Sequence, residues 1–239
     1  VMSGSRMTII AGVFSICAIL CYIVCFKLTR ERVEVPASSQ KVSASAIFKS
    51  IFTNRALLGI IVAAIFVLLS QLTVMSLAGY VYPNVYGSAA AQSTASLLGT
   101  VVMLIVCAPF ASKLAAKFGK KELAVASSIC SALVWLVCLI WRPASVWGFV
   151  ACYILANIGM GFFNTIIWAM ITDVIDDAEV RSGIREDGTI YSVYSFARKL
   201  GQAFSSGLVG ALLGIIGYTE ATAFDPAVTR GIFNMACIA

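Results

Sequence analysis

Long apolar runs separated by short polar segments make up the pattern of hydrophobic and polar positions along this chain. A helix needs about 20 apolar residues to cross a bilayer, so six runs predict membrane-spanning helices and a seventh run begins near the end. The predicted spans cover residues 7–26, 57–77, 93–112, 123–140, 146–170 and 190–216, with 232–239 as the start of another. The pattern predicts an all-α membrane protein. Residue 1 is Val and Ala239 falls inside an apolar run, so we expect the chain to be a fragment.

The composition supports a polytopic membrane protein. Hydrophobic residues make up 60% of the chain and charged residues 12%, whereas soluble domains carry about 25% charged residues. This excludes a soluble enzyme with a single anchor. The eight cysteines all lie in apolar segments, and Cys17, Cys21 and Cys25 share one helical face. With no His in the chain and no CxxC pair, we expect these cysteines to pack as small hydrophobic residues, and we predict no metal site.

The basic residues alternate between loops. The segments 27–55, 113–121 and 171–189 carry six, four and two Lys or Arg residues, while 80–92 has none. The loops 141–145 and 217–230 carry only Arg142 and Arg230. The positive-inside rule places the three basic loops in the cytoplasm and predicts a multi-pass protein of the cell membrane. The net charge of +6 is then explained by topology, and we predict the lipid bilayer, not nucleic acid, as partner.

These positions predict three parts. Residues 1–26 form the last helix of a first half, 27–55 a cytoplasmic connector, and 56–239 a second bundle truncated in its last helix. Within the connector, residues 41–55 place apolar side chains on one helical side. This segment is either an amphipathic helix on the inner membrane surface or a helix packed against the base of the bundle.

The sixth predicted span carries a polar stripe. Taking 100° per residue, one arc of the helix holds Tyr191, Tyr194, Ser195, Arg198, Lys199, Gln202 and Ser205. The opposite side carries Val193, Phe196, Ala197 and Leu200. Placing a cation at the bilayer centre costs roughly 2.5–3.5 kcal/mol on insertion scales, so such groups face protein or water.

Lys199 lies about 14 Å from the start of its predicted span, near the middle of the membrane. One interpretation is a polar cavity that carries substrate or coupling charge, and the other is a structural salt bridge. No Asp or Glu lies within a predicted span. A partner for Lys199 must therefore come from the rest of the protein, from a substrate or from water.

The segment before this span is rich in acids, including Asp173, Asp176, Asp177 and Glu179, with Arg181 and Arg185 nearby. Three interpretations stay open: salt bridges that form a cytoplasmic latch or scaffold, a solvated loop, and a cation-binding site. On the preceding span, Asn164 and Trp168 could hydrogen-bond to and stack on a sugar. Trp168 could equally belong to the aromatic belt at the interface. Small-residue spacing at Gly159 and Gly161, and at Gly210 and Gly214, permits close helix contacts.

Three stretches carry a family resemblance. The strongest runs from the Asp-x-x-Asp of "WAMITDVIDDAEVRSGIREDGTIYS" into "YSVYSFARKLGQAF"; "IFTNRALLGIIV" and "LAAKFGKKELAVA" are weaker. Together they resemble the glycoside–pentoside–hexuronide:cation symporters, a branch of the major facilitator superfamily that includes the melibiose permease. The resemblance covers the whole chain, as the last helix of the first half and most of the second six-helix half of a major-facilitator-type bundle.

The resemblance implies import of a sugar or glycoside coupled to Na⁺ or H⁺ by alternating access. Lys199 matches the family's cavity Lys on the eleventh helix, near the cation and sugar sites. Tyr194 and Ser195 match polar positions that face the sugar. Arg198 departs from the melibiose permease, which has an apolar residue there, and this favours an anionic sugar such as a hexuronide. The family's cation-binding carboxylates lie in the first half, outside this chain.

The functional prediction is therefore a sugar:cation symporter that acts as a monomer and has no cofactor besides its coupling cation. The predicted cavity residues are Lys199, Arg198, Tyr191, Tyr194, Ser195, Gln202, Asn164 and Trp168. The predicted latch with the first half is formed by Asp173, Asp176, Arg181 and Arg185. The alternatives are a lipid or drug carrier on the same fold and a non-transporting membrane sensor. A membrane-embedded enzyme is disfavoured, because the spans supply no acid/base pair, metal ligands or activated nucleophile.

Overall fold

The computed structural model describes residues 4–29, 54–182 and 187–239, and these residues are all helix or short connection, with no strand. Seven α-helices and one π-helical turn, Val81–Val85, occur within these ranges. We label the α-helices α1 (Gly4–Leu28), α2 (Arg55–Tyr80), α3 (Ala89–Phe118), α4 (Lys120–Trp141), α5 (Val146–Ser182), α6 (Asp187–Ile216) and α7 (Pro226–Ile238). Six of them are long and apolar enough to cross a membrane. The predicted all-α membrane fold and its six spans are confirmed.

The chain divides into two compact units, residues 1–43 and 44–239. The described part of the first unit is α1, a 25-residue helix that ends with a Thr29 N–H bond to the Cys25 carbonyl (2.9 Å). The second unit holds α2 to α7. The predicted amphipathic helix in 41–55 falls almost entirely outside the described residues.

The prediction of loops at residues 113–121 and 171–189 is largely wrong, because most of the described residues there are helical. Helix α3 continues to Phe118 and α4 begins at Lys120, so Gly119 alone separates them, with a φ of 98°. Helix α5 continues past the predicted end at residue 170 to Ser182. Hydropathy marks where a helix leaves the membrane, but its backbone hydrogen bonds continue into water. The acids of this segment therefore lie on a helix, where Asp177 pairs with Arg181 one turn later (3.0 Å).

Small residues set the helix crossings within the second unit. A Cβ on Gly159 of α5 would lie 2.6 Å from the Ser127 carbonyl oxygen of α4, and one on Gly161 would lie 2.7 Å from Cys107 Sγ of α3. The predicted close contacts at these two glycines are confirmed. Gly210 and Gly214 have nothing within 4 Å of a Cβ in the described residues, so spacing alone misled the prediction there. The backbone crossing that spacing did not reveal is at Gly201 of α6, against Ile65 of α2.

The cysteine prediction holds in part. Cys107, Cys138, Cys152 and Cys237 are buried in the bundle, whereas Cys17, Cys21, Cys25 and Cys130 are exposed in the described structure. Cys138, Cys152 and Cys237 belong to an apolar core that includes Phe149, near the end of α4 and the start of α5. The Phe149 ring contacts Tyr82, Trp135 and Phe233 at centroid distances of 5.3, 5.9 and 5.8 Å. Each such ring pair contributes about 0.5–1.5 kcal/mol beyond its buried area.

Candidate functional site

Helix α6 is held against α2 by one buried stripe. The stripe consists of Ile190, Tyr194, Ala197, Gly201, Ser205 and Val209. Gly201 lets the two backbones approach, since a Cβ there would lie 3.0 Å from the Ile65 carbonyl oxygen. Four residues later, the Ser205 and Thr73 hydroxyls form a buried hydrogen bond of 3.1 Å. This bond satisfies both hydroxyls inside an otherwise apolar contact and sets the position of α6 along α2.

The packing divides the polar arc that the sequence predicts as one face. Tyr194 and Ser205 are buried in the α2 contact, while Tyr191, Arg198 and Gln202 are half-buried beside it. Ser195 and Lys199 are exposed. Ala197, predicted on the opposite side, is buried in the same stripe as Tyr194. The prediction followed side-chain polarity, whereas the contact follows the small residues that allow the helices to meet.

Arg198 is stacked on two aromatic rings. Its guanidinium carbon lies 5.0 Å from the Trp168 ring centroid and 5.8 Å from the Tyr194 ring centroid. The two rings meet edge-on at 5.7 Å. A cation over an aromatic face gains about 0.5–1 kcal/mol when exposed and about 2 or more when desolvated. Stacking orients the guanidinium, whose planar edge carries N–H donors that can bind an acceptor.

Neither cation of α6 has a carboxylate partner among the described residues. The two ion pairs there join Lys120 to Asp173 and Arg181 to Asp177. Lys199 Nζ donates to the Gln202 side-chain oxygen one turn away (3.1 Å), a neutral partner. The structure thus places two adjacent positive charges near the middle of a membrane-length helix with no compensating acid in the described residues.

An amide pair joins α2 to α5 beside this site. Asn164 Nδ2 donates to Gln71 Oε1 at 3.2 Å, and both side chains are half-buried. Gln71 was not among the predicted residues, although a lone Gln in an apolar span is a signal that could have identified it. Gln71 also lines a cavity of about 40 Å³ with Ser70 and Asn157, floored by Trp135 and Tyr153. That volume holds only a few water molecules.

A larger cavity lies elsewhere. About 790 Å³ of space between α2, α4 and α5 is lined mainly by apolar side chains, and none of its lining residues belongs to α6. At its edge, Lys120 Nζ binds the two Asp173 oxygens at 2.6 and 2.7 Å. Asp173 therefore has a partner within this bundle. Asp176 lies on α5 one turn further, Arg181 pairs with Asp177, and Arg185 is outside the described residues. The latch with the first half stays a prediction.

Comparison with known proteins places the chain among transporters. A family model described as MFS/sugar transport protein matches residues 2–239. The "Uncharacterized symporter YjmB" of Bacillus subtilis is 31% identical over 88% of this chain and 46% of its own length. The "Glucuronide carrier protein homolog" of Escherichia coli is 28% identical, covering 92% and 48% of the two chains. A "Putative sulfoquinovose importer" of Salmonella typhimurium is 30% identical, covering 94% and 47%. The chain spans about half the length of these relatives.

Proposed function

The chain belongs to the MFS/sugar transport protein family, and from that premise we propose that the whole protein carries an anionic sugar or glycoside across the membrane. The predicted resemblance of the whole chain to sugar transporters of the major facilitator superfamily is confirmed by the family match over residues 2–239. The chain is a multi-pass membrane protein. Its relatives are named as symporters, carriers and importers, so the prediction that it is not an enzyme is also confirmed.

One observation supports an anionic substrate above the others: Arg198 and Lys199 have no carboxylate partner in the described residues. Arg198 is half-buried, and a buried or half-buried cation is costly unless an anion pairs with it. A substrate carboxylate or sulfonate would supply that charge each time it binds. The names of two relatives agree, since a glucuronide carries a carboxylate and sulfoquinovose a sulfonate.

Each site residue has a role in this proposal. Arg198, oriented by Trp168 and Tyr194, binds the anionic group through two parallel N–H donors. Tyr191, Ser195 and Gln202 on α6, together with the Asn164–Gln71 pair, offer hydrogen bonds to sugar hydroxyls. The Asn164 amide already donates to Gln71, so the two side chains would be held in position before the sugar binds.

Lys199 couples the sugar to the driving cation. Its hydrogen bond to Gln202 connects it to one of the residues that line the proposed sugar site. Its positive charge interacts electrostatically with a cation that binds nearby. We propose Na⁺ or H⁺ as that cation, bound mainly by the half of the protein outside this chain, and alternating access by a monomer. Coupling is reciprocal: each ligand changes the affinity for the other by the same factor.

The test uses the full-length protein in proteoliposomes. Uptake of a labelled glucuronide, sulfoquinovose and, as neutral comparison, melibiose and a xyloside is measured with and without an imposed Na⁺ or H⁺ gradient. Accumulation of an anionic sugar under one gradient supports the proposal and identifies the cation. If only neutral sugars move, the anionic assignment is wrong. If no sugar moves in a folded, correctly oriented protein, the sugar assignment is wrong.

One observation favours a second candidate, a carrier of lipids or apolar drugs. The cavity of about 790 Å³ between α2, α4 and α5 is walled mainly by apolar residues such as Ile60, Val125 and Phe163. An apolar drug would leave Arg198 and Lys199 without an anion, which argues against such a cargo, whereas a phospholipid would supply an anion through its phosphate. The same proteoliposomes loaded with a fluorescent phospholipid separate the two, and absence of any flux would favour a sensor.

A further inference from the structure

The fold brings the two basic residues of the predicted outer loops to one place. Arg142 directly follows Trp141, the last residue of α4. Arg230 lies 88 positions later in the chain, in the first turn and a half of α7. Both line one open cavity of about 330 Å³. Tyr86, Pro143, Pro226 and Phe233 contribute to its walls. Sequence alone gives no reason for these two arginines to line one cavity.

The two guanidiniums retain most of their donors. Arg142 Nη2 donates to Asn234 Oδ1 at 3.2 Å, and Arg230 has no side-chain partner in the described part of the chain. Each guanidinium carries five N–H donors. The acids of the neighbouring loop, Glu220 and Asp225, form no ion pair with either arginine. Two like charges that share a cavity without an acid favour an anion between them.

The other polar wall groups, the hydroxyls of Tyr86 and Thr229, do not compensate these charges. The Thr229 hydroxyl donates to backbone carbonyl oxygens of its own helix start, at 3.1 Å to Asp225 and 3.2 Å to Pro226. The Tyr86 hydroxyl donates to the Pro143 carbonyl oxygen at 2.9 Å, so its proton is already used. Burial raises the pKa of Tyr86 further above its ordinary value, and the phenol therefore stays neutral. The cavity offers cationic donors over walls formed by Pro143, Pro226 and Phe233.

The backbone of Arg142 adds an independent observation. Its φ of 47° and ψ of 68° lie in the left-handed region, where a helix end usually has Gly. The Arg142 N–H closes the helix on the Cys138 carbonyl (2.9 Å). A non-glycine residue in this conformation is strained, and such strain recurs where the side chain has a task. In this conformation the Arg142 guanidinium reaches Asn234 Oδ1 and the side chain lines the cavity.

Two tryptophans beside the cavity indicate that it lies near the depth of lipid headgroups. Trp141 and Trp147, on either side of the α4–α5 connection, are 62% and 60% exposed. Exposed Trp side chains concentrate at the membrane–water interface. We propose that Arg142 and Arg230 form a binding site for a phosphate-type oxyanion on the outer surface. The site is separate from Arg198 and does not depend on the proposed transport. An outer-leaflet phospholipid phosphate and a free anion are the two sources of that chemistry.

The test measures apparent thermal unfolding of the full-length protein in an uncharged detergent. One arm adds phosphatidylglycerol in mixed micelles, and the other adds inorganic phosphate against chloride at equal ionic strength. A ligand that binds only the folded state raises the unfolding temperature by mass action. We expect a rise in at least one arm. A rise with lipid alone identifies the headgroup as the source, and a rise with phosphate identifies a free anion.

Variants of the two arginines test whether the ligand binds at this cavity. Arg142→Gly suits the left-handed backbone, so with Arg230→Gln it removes both charges without straining the helix end. We expect this double variant to lower the apparent affinity at least about tenfold, since each charge-assisted hydrogen bond to an ion is strong. Arg230→Lys should retain part of the ligand-dependent rise in unfolding temperature. Lys113→Gln, on the predicted opposite side of the membrane, should retain all of it. The proposal is overturned if wild type shows no rise in either arm, or if the double variant responds like wild type.

If the double variant fails to fold, Arg230→Gln alone carries the test. The Arg230 side chain has no hydrogen bond or ion pair within the described residues, so its replacement breaks no polar contact there. An unchanged ligand response in Arg230→Gln would then overturn the two-arginine site. Because unfolding is measured without transport, this result is independent of whether an anionic sugar is carried.

Discussion

The guanidinium of Arg198 lies 5.0 Å from the centroid of the Trp168 ring, and this contact joins α6 to α5 beside the proposed sugar site. Tyr194 meets the same guanidinium from its own helix at 5.8 Å. The charge is therefore held by aromatic faces and not by an acid. Such a residue is fixed in direction yet keeps its positive charge for a ligand.

We expect Arg198→Gln to lower kcat/KM for a glucuronide by roughly 10- to 100-fold, because a charge-assisted hydrogen bond contributes about 1.5–3 kcal/mol. Uptake of a neutral sugar, if any occurs, should change much less. Arg198→Lys keeps the charge but loses the paired N–H donors of the guanidinium. Its kcat/KM for the glucuronide should lie between those of wild type and Arg198→Gln. Lys113→Gln is the control for loss of one positive charge. Equal losses for anionic and neutral sugars would assign Arg198 to structure and not to selectivity.

Lys199 is expected to separate binding from energy coupling. In Lys199→Ala, gradient-driven accumulation of the sugar should be lost, while counterflow exchange at equal concentrations should persist at a reduced rate. The reason is that exchange needs the sugar site alone, whereas accumulation needs the reciprocal effect of cation and sugar. The measurement compares both fluxes in the same proteoliposomes, with Lys199→Arg as the charge-keeping control. Intact cation-dependent accumulation in Lys199→Ala would falsify the coupling role.

The sequence predicted the fold well because membrane spans depend on a simple quantity. Apolar runs of about 20 residues must be helical in lipid, so residues 57–77 and 190–216 were found as α2 and α6. Helix ends were less accurate. The extension of α5 to Ser182 is rich in charged residues, which are compatible with a helix but give no hydropathy signal.

The site was predicted only as a set of polar positions. Helical periodicity placed Arg198 and Lys199 near one another, but it could not show that the contact with α2 runs through Gly201 and buries Tyr194. It also missed Gln71, because a hydrogen bond to Asn164 depends on how two distant helices cross. Contacts between helices depend on side-chain shape on both partners, and one sequence pattern describes only one of them.

The hydrogen bond between Thr73 and Ser205 allows a measurement of how two hydroxyls stabilise the α2–α6 contact. Either Ser205→Ala or Thr73→Val alone leaves one buried hydroxyl without its partner, and each should cost about 1–3 kcal/mol. The double variant removes both groups and should cost less than the sum of the single variants. Unfolding temperatures of the four proteins at one scan rate give the comparison. Additive losses would mean that the two hydroxyls do not interact in the full-length protein.

Gly→Ala substitutions at two helix positions are expected to change the stability of the protein in opposite directions. Gly→Ala in a helix normally stabilises by roughly 0.5–1 kcal/mol, because Gly loses more conformational freedom on folding. At Gly210 the new Cβ has nothing within 4 Å in the described residues, so Gly210→Ala should keep or raise the unfolding temperature. At Gly159 the new Cβ would lie 2.6 Å from the Ser127 carbonyl oxygen, a backbone atom that cannot rotate away.

Gly159→Ala must therefore push α5 away from α4, and we expect a net loss of about 1–3 kcal/mol despite the gain in helix propensity. The apparent unfolding temperature of both full-length variants, measured in the same detergent at one scan rate, checks the pair. Uptake should fall in Gly159→Ala as well, because α5 carries Asn164 and Trp168 of the site. If Gly159→Ala is as stable as wild type, α4 and α5 cross with more space than the structure shows. If Gly210→Ala is the destabilised variant, a segment beyond the described residues packs on that face of α6.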